Sequence, residues 1–298
     1  MLLLLKDKKQ SVSGAEKTLA LLQEKLSLKG LEAVVASFEE IQIKAAQGLV
    51  EIFVKNIPFL NFSTVYFRRV GENRNLAFIL SKVAEKNNIL FLDRLYKETN
   101  EPSKLKQTCL FALNNIAIPK TFFSSSYDKK TLEDAVDFLQ LPIVVKFSKS
   151  KKGNGIFLAK SLDELQQILR ENYSPEIILQ EYIPNAFDYR VFILGDSIAC
   201  IEKRTRVDSV EFRNNVSLGA MEEFLALEDV SERIKTCALA AAKVSDIQVA
   251  GADIVVDQNG IPYVFEVNRS PAITYDETLS NEINLLATYL EQCETRKK

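Results

Sequence analysis

Not one histidine occurs in the 298 residues. That excludes Ser-His-Asp and Cys-His triads and an ordinary zinc centre. Chemistry must fall to carboxylates, lysine, arginine, backbone amides and a hard cation. Cysteine is scarce: Cys109, Cys200, Cys237 and Cys293 lie far apart, with no metal-ligand or redox spacing. They read as reduced, mostly buried thiols. No apolar run approaches the eighteen or so residues of a membrane span. The opening Met1-Leu-Leu-Leu-Leu5 stops at Lys6, too short for a signal peptide and suited to a buried first strand. A surplus of basic charge is also missing: net charge is −2 and the pI near 5.6, which gives no signal for nucleic acid. Internal repeats and low-complexity tracts are absent. The expectation is a cytoplasmic protein with neither nucleic acid nor membrane as partner.

What is present is a globular composition, 47% hydrophobic and 26% charged, in a chain long enough for two or three domains. Strand-like segments at 1–6, 31–36, 63–68 and 88–92 alternate with helix-like ones at 14–28 and 75–86. Such alternation predicts a small α/β domain with a largely parallel sheet. Within the unassigned stretch 40–61, residues 49–54 read as an extra strand or part of a hairpin. Pro102 and its polar neighbours mark a linker, and Ser103 is placed to cap a helix from Lys104 to about Asn115. Beyond it the pattern predicts a strand at 116–119 and a helix over 129–139. Paired strands follow at 141–147 and 155–159, with a capping box opening a helix at Ser161. Strands are expected at 176–182, 189–194 and 197–204, a helix at 231–244, a hairpin, and a last helix from about 279. The division expected is 1–100, then 101–298 with subdomains of about 101–180 and 181–298.

The hairpin carries the sharpest signal. Gly251-Ala-Asp253-Ile-Val-Val and Ile261-Pro-Tyr-Val-Phe-Glu266-Val-Asn268 flank the turn-forming Asp257-Gln-Asn-Gly260. Alternation puts Glu266 and Asn268 on one face. With a four-residue loop and no bulge, Asp253 lies opposite Val264 and diagonal to Glu266, roughly 7–8 Å away. Two carboxylates and an amide oxygen are hard ligands that suit Mg²⁺ held between protein and phosphates.

Upstream, the β-branched run ending at Lys146 meets a lysine-rich loop with Gly153 and Gly155, where backbone N–H groups can approach phosphate oxygens. A hairpin with a solvated basic tip is the equal alternative. Gln180-Glu181-Tyr182 ends a strand whose backbone can read an adenine edge, and Asp188 can take a ribose hydroxyl; taken alone, an exposed acidic strand end fits better. Arg204 and Arg213, on successive segments, can clamp a phosphoryl group with help from Asn214 and Asn215, or serve as surface charge.

Taken in order, Lys104, Lys146, Gln-Glu181-Tyr182, Asp188-Tyr-Arg190, Phe-Arg213-Asn214-Asn215, Asp253 and Glu266-Val-Asn268-Arg-Ser-Pro271 resemble the ATP-grasp superfamily, and within it the RimK-type carboxylate–amine ligases. The resemblance runs from about Lys104 to the C-terminus. It implies an ATP-grasp fold, α/β with an α+β C-terminal part, behind a small Rossmann-like domain. It implies ATP with two Mg²⁺ ions, Mn²⁺ being an alternative, and an amino-acid, peptide or protein substrate; a homo-oligomer stays open. By the same resemblance Lys104 and Lys146 contact the phosphates, and the loop 148–155 with Gly153 and Gly155 closes over them. Glu181 and Tyr182 meet adenine, Asp188 meets ribose, and Arg213, with Asn214 and Asn215 nearby, binds the γ-phosphate or the acyl phosphate. Asp253 and Glu266 share one Mg²⁺, and Glu266 and Asn268 hold a second. Arg204 or Arg190 stabilises the oxyanion formed when an amine attacks an acyl phosphate. The glycine loop is richer in lysine than the RimK-type pattern, which leaves loop closure and substrate choice open. Ser63-Thr-Val-Tyr-Phe-Arg68-Arg69 is similar to a segment of microviridin-type peptide ligases, which makes a peptide-crosslinking maturase an alternative. A buried strand followed by two exposed arginines is the plainer reading of that segment. A non-catalytic ATP-binding module is the third reading.

Overall fold

A computed structural model describes residues 1–7, 13–98, 103–147, 155–172, 174, 176–207, 220–274 and 276–295. The chain opens with β1 (Leu2–Lys6), α1 (Ser13–Leu28), β2 (Ala33–Ser37), β3 (Ile41–Ala46), β4 (Leu49–Val54), β5 (Ile57–Pro58), β6 (Thr64–Arg69), α2 (Arg74–Lys86) and β7 (Leu90–Leu92). Strands β2-β1-β6-β7 form a parallel sheet. A parallel sheet is covered on both faces, so its strands read as unbroken apolar runs. Leu2, Leu3, Leu4 and Leu5 are accordingly all buried. Leu3 and Leu5 face the aromatic side with Phe38 and Phe67, whereas Leu2 and Leu4 meet α1 and the C-terminal helix. The undecided stretch 40–61 is a separate antiparallel sheet, β3-β4-β5.

The second part comprises α3 (Lys104–Leu113), β8 (Thr121–Phe122), α4 (Lys129–Leu139), β9 (Ile143–Phe147), β10 (Ile156–Ala159), α5 (Leu162–Glu171) and β11 (Ile177–Glu181). Next come β12 (Phe187–Leu194), β13 (Ser197–Thr205), β14 (Met221–Leu225), α6 (Glu232–Val244), β15 (Val249–Val256), β16 (Pro262–Asn268) and α7 (Glu282–Thr295). They build two antiparallel sheets, β10-β9-β11-β8 and β14-β13-β12-β15-β16. One face of the larger is apolar along its length: Val191, Ile201, Ala252, Ile254, Val264 and Val267 pack on Ile234, Ala238 and Ala241 of α6. The opposite face is apolar at one end, where Phe192, Leu194 and Val249 pack with Leu286 and Leu290 of α7, and carries charge at the other, around Arg190 and Asp253.

Three expectations about the strands change. Residues 116–119 are not a strand; Ala117 gives its carbonyl to Val264 N at 2.9 Å, and the strand falls at 121–122, where Thr121 and Phe122 pair with β11. The hairpin strands leave five residues between them, 257–261, because the Asp257 carboxylate accepts from the amides of Asn259 and Ile261. The register also shifts between Asp253 and Ile254, so Phe265 is a bulge and Asp253 sits directly opposite Glu266. The cysteines are free as expected, but Cys109 is exposed and the other three only partly buried. The expected border at 100/101 lies outside the described residues. Among these, no helix is long and apolar enough to cross a membrane.

Candidate active site

Between the two antiparallel sheets lies a cavity of about 120 Å³. Val144, Ile156, Ile183, Val255 and Phe265 give it apolar walls, and the polar rim includes Gln180, Glu181 and Tyr182. Its inner end is charged, with Lys104, Lys146, Asp188, Arg204, Asp253 and Glu266. A wider groove of about 700 Å³ lies beside β2, but its charges are spread along an exposed edge rather than converging.

Each charged group has a local reason for its position. Ser103 caps α3 by accepting from Lys106 N at 3.0 Å, which puts Lys104 in the first turn. Gln107, one turn on, exchanges two hydrogen bonds with the backbone of Val267, at 3.0 and 2.9 Å. α3 is thereby fixed to β16, and Lys104 Nζ reaches Glu266 at 3.0 Å. Lys146 lies opposite Ile156 on one side and Ile178 on the other. Burial and the neighbouring Lys104 push its ammonium down to about 8, although Glu266 and Asp253 oppose this. Its Nζ stands 4.8 Å from the centre of the Phe265 ring.

The acidic end is densely bonded. Arg190 donates to Asp253 twice, Nε at 2.9 Å and Nη2 at 3.0 Å. Arg204 donates Nη2 to Asp253 at 3.1 Å and Nε to Asp188 at 2.7 Å. Asn268 adds a fourth bond to Asp253 at 3.2 Å. Burial opposes ionisation of Asp253, but Arg190 and Arg204 outweigh it and hold the carboxyl below its usual range. Asp188 moves the other way, to about 6, because burial outweighs Arg204. The Glu181 carboxylate accepts from Lys120 N at 3.0 Å. Gly155 closes the loop before β10 at φ +88°, its carbonyl accepting from Phe147 N at 3.0 Å.

The structure thus assembles Lys104, Lys146, Glu181, Tyr182, Asp188, Arg190, Arg204, Asp253, Glu266 and Asn268 around one cleft. Gly153, Arg213, Asn214 and Asn215 lie outside the described residues. Phe265, Gln107 and Glu202 escaped sequence reasoning. Phe265 reads as an ordinary strand residue unless the bulge is known, and Gln107 carries no motif. Glu202 lies between Ile201 and Lys203, and only its cross-strand partner, Arg190, marks it out.

The profile of the family described as RimK-like ATP-grasp domain matches residues 102–291. The chain belongs to the RimK-like ATP-grasp family. Among its relatives is a probable alpha-L-glutamate ligase of Rhodopirellula baltica, 24% identical over 250 residues, which cover 82% of this chain but 60% of the relative. That of Cellvibrio japonicus is 30% identical over 196 residues, 63% of each protein. That of Pseudomonas fluorescens is 26% identical over 271 residues, covering 89% of this chain and 88% of the relative. Solved ATP-grasp structures share the fold at low identity. PsnB complexed with minimal precursor superposes with a TM-score of 0.71 at 18% identity, over 98% of both chains. D-alanyl-alanine synthetase A of Vibrio cholerae gives 0.71 at 14% identity, over 99% of this chain and 97% of the other. The macrocyclase MdnC of Microcystis aeruginosa, bound to its precursor peptide MdnA, gives 0.68 at 16%, over 98% and 99%.

Proposed function

We propose that this RimK-like ATP-grasp protein is an ATP-dependent carboxylate–amine ligase acting on an amino acid, peptide or protein. The observation that carries the reading is Lys146. It is a half-buried, desolvated ammonium near two carboxylates already engaged by other cations, and an anionic ligand would offset its desolvation. A nucleotide suits the cleft: an apolar slot for a base, backbone at 180–183 for its edge, Lys104 and Lys146 for its phosphates. Arg213, Asn214 and Asn215 are assigned to the γ-phosphate on family resemblance.

The donor set fits Mg²⁺. Asp253 and Glu266 face each other across paired strands, and the Asn268 amide is within reach of Asp253. Among the described residues no group of three or more acidic, histidine or cysteine side chains could hold a metal alone, so phosphate and water oxygens must complete the shell. Asp253 and Glu266 would hold one ion and Glu266 and Asn268 a second, supplying charge neutralisation at the phosphates.

In the reaction, the acceptor carboxylate attacks the γ-phosphorus and ADP leaves, giving an acyl phosphate. The amine then attacks the acyl carbon, the C–N bond forms and phosphate departs. Lys146 and Lys104 would offset charge moving onto ADP, and Arg204 would meet the developing oxyanion. The fold shared with PsnB and MdnC, both solved with precursor peptides, supports including acidic peptides among candidate acceptors. The test is ADP release with ATP and Mg²⁺ across single amino acids, amino-acid pairs and acidic peptides. Acceptor-dependent ADP that disappears in Glu266→Gln supports the reading. Absence of acceptor-dependent ADP across the whole panel rejects it in favour of a nucleotide-binding module.

A further inference from the structure

One row of paired residues crosses four strands of the large sheet: Glu202 on β13, Arg190 on β12, Asp253 on β15 and Glu266 on β16. Arg190 therefore has a carboxyl neighbour on each side. It donates two hydrogen bonds to Asp253, at 2.9 and 3.0 Å. Glu202 is only 7% exposed, and its Oε1 has no hydrogen-bond partner. A buried carboxyl oxygen without a partner, beside a guanidinium, calls for an explanation.

Asp253 is saturated as it stands. Oδ1 accepts from Arg190 and Arg204, and Oδ2 from Arg190 and Asn268. A cation cannot approach those oxygens while the Arg190 guanidinium lies against them. Nor can a buried guanidinium be released into nothing, because an uncompensated internal charge is strongly unfavourable. Neighbouring strands are roughly 4.8 Å apart, and the acid directly across β12 from Asp253 is Glu202 on β13. We propose that Glu202 is a positioning residue that receives Arg190 when Asp253 turns to its cation. The proposal rests on the reading of Asp253 and Glu266 as metal ligands.

The groups facing Glu202 fit this role. Arg190 and Arg204 favour its ionised form, and the neighbouring carboxyl of Glu222 on β14 opposes it. With Arg190 held by Asp253, burial wins and Glu202 stays up at about 8, close to neutral in charge. The acid is a vacant partner in this state and an anionic one once Arg190 arrives.

The experiment is Mn²⁺ binding followed by electron paramagnetic resonance, with ADP present, in the wild type, Glu202→Gln, Glu202→Asp and Asp253→Asn. ADP affinity without metal is measured alongside. Glu202→Gln should keep its metal-free ADP affinity and lose roughly 10–100-fold in Mn²⁺ affinity, the usual effect of removing a group that supports a ligand. Glu202→Asp should recover part of the loss. Wild-type Mn²⁺ binding in Glu202→Gln overturns the proposal, and so does an equal loss of ADP and Mn²⁺ binding in both Glu202 variants. Wild-type Mn²⁺ binding in Asp253→Asn instead overturns the metal reading on which it stands.

Discussion

Lys146 is where burial and charge conflict most openly. Its ammonium is held down to about 8, first by desolvation and then by Lys104. An unfolded lysine keeps its proton to roughly 10.4. Between the two values the unfolded chain binds more protons, so this group makes stability rise with pH from about 8 to 10.5. Below 8 its full cost is present. Lys146→Met removes that cost and should raise the melting temperature of the ligand-free protein at pH 7 by several degrees, equivalent to about 1–3 kcal/mol. The same substitution should weaken ADP binding by roughly 100-fold or more, since a desolvated charge-assisted contact is lost. Calorimetry reads both. A variant that is less stable and binds ADP normally would make Lys146 a structural residue.

Among the elements, the β15–β16 hairpin decides the site's geometry. Its polar residues were legible in the sequence because a strand with one face on α6 must alternate, and Asp253, Glu266 and Asn268 break an apolar run. The bulge was not legible. One extra residue leaves no compositional trace, and the loop length that hides it depends on Asp257 bonding the amides of Asn259 and Ile261. The two departures together bring Asp253 opposite Glu266, closer than the diagonal pairing expected from an unbulged turn. Most helices and strands were legible from periodicity and from caps at Ser103 and Ser161. The short β8 was displaced because Ile116-Ala-Ile looks like a strand whatever its partner. Arg190 and Arg204 were recognisable as site residues, but their grip on Asp253 depends on strand order. The bulge also lets Phe265 line the cleft beside Glu266, where its ring meets Lys146 at 4.8 Å. Phe265→Ala should leave the fold intact and weaken ADP binding about fivefold, the ~1 kcal/mol of a partly desolvated cation–π contact. Unchanged affinity by titration calorimetry would remove Phe265 from the nucleotide site.

Across the whole molecule, the parallel sheet and the large antiparallel sheet are joined at Asp93. It follows β7, is wholly buried, and its Oδ1 accepts from the amides of Gln248 and Val249, both at 2.8 Å, where β15 begins. Arg94 N donates to Gln248 and Leu95 N to Asp246, so one short segment ties the two sheets through four bonds. The second carboxyl oxygen, Oδ2, has no partner. Burial pushes Asp93 up to about 7, although both amides and the guanidiniums of Arg269 and Arg68 pull the other way. The folded chain therefore binds a proton between roughly pH 4 and 7 that the unfolded chain releases. Its stabilising contribution is complete below pH 4 and lost as pH rises through 7. Asp188, raised to about 6, and Glu202, raised to about 8, act with the same sign. Melting temperature should thus fall from pH 5 to pH 8. Asp93→Asn keeps a carbonyl oxygen for the two amides and has no charge to bury. It should flatten that slope and stabilise the protein at pH 8 by up to about 4 kcal/mol, from about 1.36 kcal/mol per unit. Thermal melts of both proteins at pH 5, 6, 7 and 8 measure this, and parallel curves would mean that Asp93 is ionised throughout. Because the bonds of Asp93 run between the sheets, the loss at high pH should appear first as opening at that joint. Hydrogen exchange at the Gln248 and Val249 amides, faster at pH 8 than the intrinsic rate increase accounts for in the wild type but not in Asp93→Asn, would locate it there.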